Sequence, residues 1–395
     1  MKSISKYSGA FLGAAFLMAT SAIGPGFITQ TTRFTNELLA SFGFVILISL
    51  FLDIGAQLNI WRIIGVSKLY APDLANKVFP GAGTFLTSLI VTGSFAFNIA
   101  NIAGAGLGLH VLTDCSVETG AIISSVIAMV IFLIKEAGKA MDWVTKILGF
   151  VMIGLTLYIA IQSHPPIAEA VYKTFIPDTI NETIILTVVG GTVGGYISFA
   201  GIHRLLDAGI SGPEALTKIT GSSVTGILIT SVMRTILFLA VLGVVINKVQ
   251  LDAGNPAATV FETVAGKFGY RLFGLIFWSA AITSVVGSAF TTVSFLKAIN
   301  FSVQKNSRAF TIGFIILSTL VFLLVGKPVA LLIFGGAING LILPIALAIV
   351  LLAVIKKKTI DGYTHPRWMS ISGWLVVGMM SWLSIKAIID FLKQI

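Results

Sequence analysis

The chain reads as an all-α polytopic membrane protein. About eleven transmembrane helices form a five-plus-five inverted repeat and one added helix, with spans 1 and 6 broken. Three observations predict this. The 395 residues are 56% hydrophobic and only 11% charged, with a mean hydropathy of +0.98, which excludes a soluble domain of this length. The apolar residues form long continuous runs, not the alternation of a membrane barrel. Two Gly-rich interruptions, Gly24-Pro25-Gly26-Phe27 and Gly190-Gly191-Thr192-Val193-Gly194-Gly195, fall inside stretches otherwise long enough to span. A helix broken at membrane depth survives only inside protein or beside a cavity. Such breaks in corresponding places of two chain halves point to a transporter's central substrate site.

At roughly 20 residues per crossing, the spans fall near 9–38, 41–64, 83–112, 118–135, 143–162, 184–209, 220–247, 256–296, 308–326, 329–355 and 370–392. The eighth includes a re-entrant or external helix. Lys2 and Lys6 precede the first apolar run as in a signal peptide, but the run continues too far and lacks a clear cleavage site, so it reads as an uncleaved span. The breaks lie five spans apart, an odd number, which inverts the second unit. The whole chain, 1–395, is thus one transporter domain, with repeats over 9–162 and 184–355 and an added helix at 370–392. This layout resembles that of LeuT-like secondary transporters.

A net charge of +10 reads as basic residues gathered in cytoplasmic loops, not as a nucleic-acid surface. Arg62, Lys68, Lys77, Lys135, Lys139, Lys146, Arg204, Lys218 and Lys356 to Lys358 fall on one side. The bias puts the N-terminus in the cytoplasm and the C-terminus outside, in the cell membrane. The single Cys115 excludes an internal disulfide or a Cys-based metal cluster. No nucleotide-binding loop, zinc-protease motif or Ser/His/Asp set is visible, so no enzyme is expected. The partners are a small-molecule substrate and the lipid bilayer, with no nucleic acid and a monomeric protein.

Candidate site residues follow from the breaks. Gly24, Pro25, Gly26 and Phe27 form the first, and Phe27 reads as an aromatic gate or as packing. Thr29, Gln30, Thr31 and Thr32 are an unusual polar run for a membrane helix. Gly191, Thr192, Gly194, Gly195, Tyr196 and Ser198 belong to the second break. Asn98 and Asn101 share one face of span three, facing substrate or bonding a neighbouring helix. Gly104, Gly106, Gly108, Gly335 and Gly336 read equally as helix-packing positions. Asp53 and Arg234 are the deepest charges, in spans two and seven, and intramembrane charges usually have function and a partner. Arg33 and Glu37 fit the outer mouth, and His110 a structural role near a span end.

At the breaks the sequence resembles the NRAMP family of divalent-metal transporters. Asn339-Gly340-Leu341-Ile342-Leu343-Pro344 is similar to that family's span ten, and Gly65-Val66-Ser67-Lys68 with Asp73-Leu74-Ala75 to the loop after its span two. The resemblance adds Asn339 to the substrate-binding set. It implies metal ligands from an Asp and an Asn in span one and a Met in span six, positions that align here with Gly24, Phe27 and Gly194. Glycine and phenylalanine supply none of the side-chain donors that select a transition metal. The His that follows the Met in that family aligns with Tyr196.

The first break also resembles the Gly-x-Gly break of amino acid–polyamine–organocation carriers, where half-helix N–H groups hold a substrate carboxylate. A secondary transporter of a small carboxylate-bearing metabolite is therefore expected, coupled to H+ or Na+ and needing no cofactor. NRAMP-like proteins of this type are associated with 5-oxoproline metabolism, which makes 5-oxoproline a candidate. The LeuT resemblance puts Thr283, Ser284 and Ser288 near a sodium position, and Asp53 is the candidate proton carrier. The alternative is a Mn or Mg transporter with a rebuilt ion site.

Overall fold

The computed structural model describes residues 22–356 and 362–393, together with Phe11, Met18, Ala19 and Ile360. Most of the first half of span 1 (9–21) lies outside the described residues, as do Lys2, Lys6, Lys357 and Lys358. Apolar runs in lipid must pair their backbone groups internally. Among the described residues every regular element is accordingly helical.

The helices are α1 Pro25–Leu38, α2 Phe42–Ser67, α3 Ala71–Val78, α4 Ala82–Thr113, α5 Val117–Leu133, α6 Lys135–Gln162, α7 Ile167–Phe175 and α8 Glu182–Val193. They continue as α9 Ile197–Asp207, α10 Leu216–Ile246, α11 Pro256–Ile299, α12 Phe301–Lys305, α13 Ser307–Val325, α14 Pro328–Ile355 and α15 Arg367–Leu392. Eight helical runs are long and apolar enough to cross a membrane, Pro25–Ser67 counting as one, and the bent α6–α7 pair makes a ninth. The eleven expected spans follow when Pro25–Ser67 is divided at its Leu39–Ser41 turn and the shorter α5 is included.

Burial sorts the helices into centre and rim. The most apolar window of Glu182–Asp207 is 100% buried, against 28% for α13 and 22% for α15. The second broken span is therefore the centre of the bundle, while α13 and α15 present apolar faces outward. Three features add to the expected boundaries. The helix of span five begins at Lys135, ahead of its apolar stretch from Ile147, because Lys-Glu-Ala-Gly-Lys-Ala-Met is too charged to look like membrane yet rich in strong helix formers. α7 turns 106° away from α6 as a short helix within what the sequence suggests is an outer loop. α11 joins two helices across a kink at Gly266 (φ 63°), so the extra helix expected before span eight is the segment ahead of that kink.

The packing reading holds for the span-three glycines. A Cβ on Gly108 would stand 2.6 Å from Trp278 N and 2.7 Å from its Cα, so α4 and α11 touch backbone to backbone. Gly104 gives way to the Pro25 ring and Gly106 to the Val117 carbonyl. Small residues permit such approaches in membranes, where van der Waals packing drives helix association.

One polar chain ties the rim helix to the core. Asn59 on α2 donates to Gly55 O and Met369 O at 2.8 and 3.0 Å, and its Oδ1 meets His365 Nε2 at 2.8 Å. His365 Nδ1 meets the Tyr363 hydroxyl at 2.9 Å, to which Arg62 Nε donates at 2.7 Å. Arg62 also donates to Thr220 on α10 at 3.1 Å. Burial, and secondarily the Arg62 charge, push the His365 imidazole down to about 4.

Two outcomes follow. Gly108→Ala forces α4 from α11 and should destabilise the protein by about 1–3 kcal/mol, read as a lowered Tm in detergent. Because His365 stays neutral when folded but takes a proton below about 6.5 when unfolded, its contribution is present above that pH and is lost as pH falls toward 4. The Tm difference between wild type and His365→Gln should narrow across that window. A constant difference would show that His365 does not titrate with unfolding.

Candidate functional site

The first break forms because Gly24 is extended (φ −102°, ψ −174°) and Pro25 opens α1 with no side-chain cap. Proline lacks an N–H and suits a first helical position. The next N–H groups, on Gly26 and Phe27, belong to the first turn and have no helical carbonyl. Ile28 N–H reaches Gly24 O at 3.3 Å. A Cβ on Gly24 would lie 3.1 Å from Ser284 Oγ and 3.8 Å from Asn101 Oδ1, so α4 and α11 bring polar atoms to this break.

The second break has an extended Gly194 (φ −76°, ψ 159°) followed by Gly195 at φ +54°. The Ser198 hydroxyl donates back to Val193 O, and Trp61 Nε1 donates to Ser198 O at 2.8 Å. Two buried amides fill the space these glycines open. Asn339 Nδ2 donates to Gly93 O and Gly335 O at 2.9 and 2.8 Å, and its Oδ1 occupies the space a Gly195 side chain would take. Gln30 Nε2 donates to Leu332 O at 2.9 Å, and Gln30 Oε1 lies 2.5 Å from where a Gly191 Cβ would stand.

Two polar groups of different character meet at the breaks. Asn101, Tyr196 and Ser284 gather near Gly24, with the Tyr196 ring edge-on to Phe97 at 5.8 Å. All three are buried; Asn101 and Tyr196 interact with each other, and Ser284 Oγ has no hydrogen-bond partner. The second group is charged. Arg234 Nη1 donates to Thr192 Oγ1 at 2.9 Å, and its Cζ lies 4.3 Å from the centre of the Phe27 ring. Asp53 sits beside Thr192 and within electrostatic reach of Arg234. The expected pairing of Asp53 and Arg234 thus takes the form of one buried cluster joined through Thr192, without a direct bond. Phe27 is a stacking surface for the guanidinium.

Other candidates are satisfied locally. Asn98 accepts from Ser288 Oγ at 2.8 Å and donates to Ser318 Oγ at 3.0 Å, so this pair bonds helix to helix. Thr31 and Thr283 turn their hydroxyls onto their own helices. Thr283 also lines an apolar cavity of about 90 Å³ with Ile23, Ile28, Met152, Met233 and Ile276. His110 Nδ1 bonds Cys115 O at 2.6 Å, the structural role expected. Arg33 and Glu37 are exposed. Sequence reasoning overlooks Gln57, fully buried with both amide atoms unpaired. It lies one helical turn from Asp53, and a polar residue at that spacing in an apolar span is a signal.

Buried side-chain atoms nearly always find partners, and the exceptions require explanation. Here unpaired atoms of Gln30, Asp53, Arg234, Ser284 and Asn339 converge on the two breaks.

Comparisons with known proteins fit this arrangement. The chain is 57% identical to an uncharacterized membrane protein of Bacillus subtilis, YcsG, over 100% of this chain and 98% of that protein. A manganese transporter of Eremococcus coleocola has the same fold, with TM-score 0.78 and 14% identity over 96% of this chain and 86% of that one. A nucleobase-cation-symport-1 family transporter, solved closed with bromovinylhydantoin bound, matches at TM-score 0.59 and 16% identity over 95% and 93%. The fold is thus the LeuT-like one, with spans 1 and 6 broken. The family model for Nramp, the natural resistance-associated macrophage protein-like proteins, matches residues 15–390, and the chain belongs to that family of multi-pass membrane transporters.

Proposed function

We propose that this member of the Nramp family is a secondary transporter of a small carboxylate-bearing metabolite, working by alternating access and coupled to H+ or Na+. The observation that carries the reading is the chemistry at the breaks. Gly24, Phe27 and Gly194 stand where the family resemblance implies metal ligands. Among the described residues no cluster of three or more His, Cys, Asp or Glu could hold a metal ion. Hard divalent ions also need several oxygen ligands, carboxylates above all. Asp53 is the acid near the breaks, and it shares its cluster with the Arg234 guanidinium.

Fold alone does not choose the cargo, since one neighbour is a manganese transporter and another was solved with bromovinylhydantoin bound. The site favours an organic anion or zwitterion. The α1 N-terminus presents unpaired N–H groups and the positive end of a helix dipole. Ser284, whose hydroxyl is unpartnered, and Asn101 face the same break, and Tyr196 joins them through Asn101. 5-Oxoproline, small and carrying one carboxylate and one lactam, is the first compound to test. Asp53 is the candidate proton carrier, and Ser284, beside Gly24, is the coupling-ion candidate nearest a break. We read 9–162 and 184–355 as the inverted repeats, with the N-terminus cytoplasmic, the C-terminus outside and the protein monomeric.

A thermal-stability panel on purified protein tests this, because ligands that bind the folded state raise Tm by mass action. 5-Oxoproline, proline or glutamate should stabilise it, by about 2.7 kcal/mol at a hundredfold excess over Kd, and manganese or magnesium should not. Stabilisation by manganese alone would establish the rebuilt metal site instead. Sodium dependence of the organic-acid effect would name the coupling ion.

A further inference from the structure

We infer that Arg234 is the anchor for the substrate carboxylate, a role that rests on reading the cargo as a carboxylate-bearing metabolite. Arg234 is 2% exposed and held from two sides. Its Nη1 is bound to Thr192 of the second break, and its Cζ lies 4.3 Å from the centre of the Phe27 ring of the first. Nε and Nη2 have no partner. In a guanidinium these two N–H groups share one edge and point the same way, which matches both oxygens of a carboxylate. Thr192 and Phe27 therefore hold the guanidinium from two sides and leave its bidentate edge buried and unpaired.

The nearby acid does not fill that edge. Asp53 Oδ1 is itself unpaired, and Thr192 stands between the two charges as their shared neighbour. Leaving charged donors unsatisfied inside a protein is costly. A merely structural arginine would be expected to close on Asp53. The arrangement instead resembles a site waiting for a second carboxylate. Its position adds directionality, because the guanidinium touches both breaks, so an anion bound there joins the two elements that alternating access must coordinate. A fixed positive charge at this point also disfavours a bare divalent cation.

The experiment uses purified full-length protein in detergent, with 5-oxoproline and proline each compared with its carboxamide. Binding is read by calorimetry and Tm shift. In wild type the acid should bind about 100-fold more tightly than the amide, since the amide cannot accept both N–H bonds as an anion. Arg234→Lys keeps the charge but loses the fork, and should weaken the acid about tenfold. Arg234→Gln should abolish the preference for acid over amide. Equal wild-type affinity for acid and amide overturns the anchor, and this comparison needs no variant to fold. So does unchanged acid affinity in Arg234→Lys. If neither acid binds wild type, the anion-transport reading fails with it, whereas acid binding that ignores Arg234 removes the anchor alone.

Discussion

The structure depends on what happens to backbone exposed by two helix breaks at membrane depth. Lipid offers no hydrogen bonds, so each break requires protein around it. Two amides meet this need. Gln30, one turn past the first break, reaches Leu332 on α14 and lies against Gly191 of α8. Asn339 on α14 holds Gly93 on α4 and fills the space beside Gly195. Both broken spans are thus fastened to α14, and the glycines of α8 are small because amides must pass close to their backbone. A side chain at Gly190 would run into the backbone of Gly336 and Gly340, which extends the same constraint along the α8–α14 contact.

The fold was legible because its causes are local. Long apolar runs and two clusters of Gly and Pro suffice to mark the helices and the breaks, and the odd spacing of the breaks implies inversion. The start of α6 was not legible by hydropathy, since the Lys135–Met141 stretch is helical but too charged to look like membrane. The site was legible by position and less so by partnership. Asn98 and Asn101 look equivalent as sequence, one turn apart on one face. Only the facing helices separate them, because Ser288 and Ser318 occupy Asn98 whereas Asn101 faces Gly24 and Tyr196. Gln57 is obscure for the same reason, as its importance comes from burial among groups far away in the chain.

Glycine at the two breaks has consequences beyond conformation. Ligand side chains there would fill the centre and fix its chemistry. Glycines instead leave room and expose backbone, so on the proposed reading specificity passes to residues on the surrounding helices. Those residues, Asn101 on α4, Ser284 on α11, and Asp53 and Arg234 on α2 and α10, come from four different spans. A site assembled this way changes its cargo through substitutions outside the broken helices while the scaffold stays the same.

Charge balance links recognition to coupling. Asp53 and Arg234 carry opposite formal charges, which makes burying them together less costly than burying either alone. A substrate carboxylate on the free edge of Arg234 puts two anions beside one guanidinium in a medium of low dielectric, where like charges interact strongly. The loaded centre is then short of one positive charge, and a proton or a sodium ion arriving with the anion restores neutrality. Asp53 offers an unpaired oxygen for the first, inside the cluster, and Ser284 an unpaired hydroxyl for the second, across the break beside Gly24. On the proposed reading, either route recruits the coupling cation through the deficit that the substrate creates. On that reading the unpaired edge of Arg234 connects what is carried to what drives it.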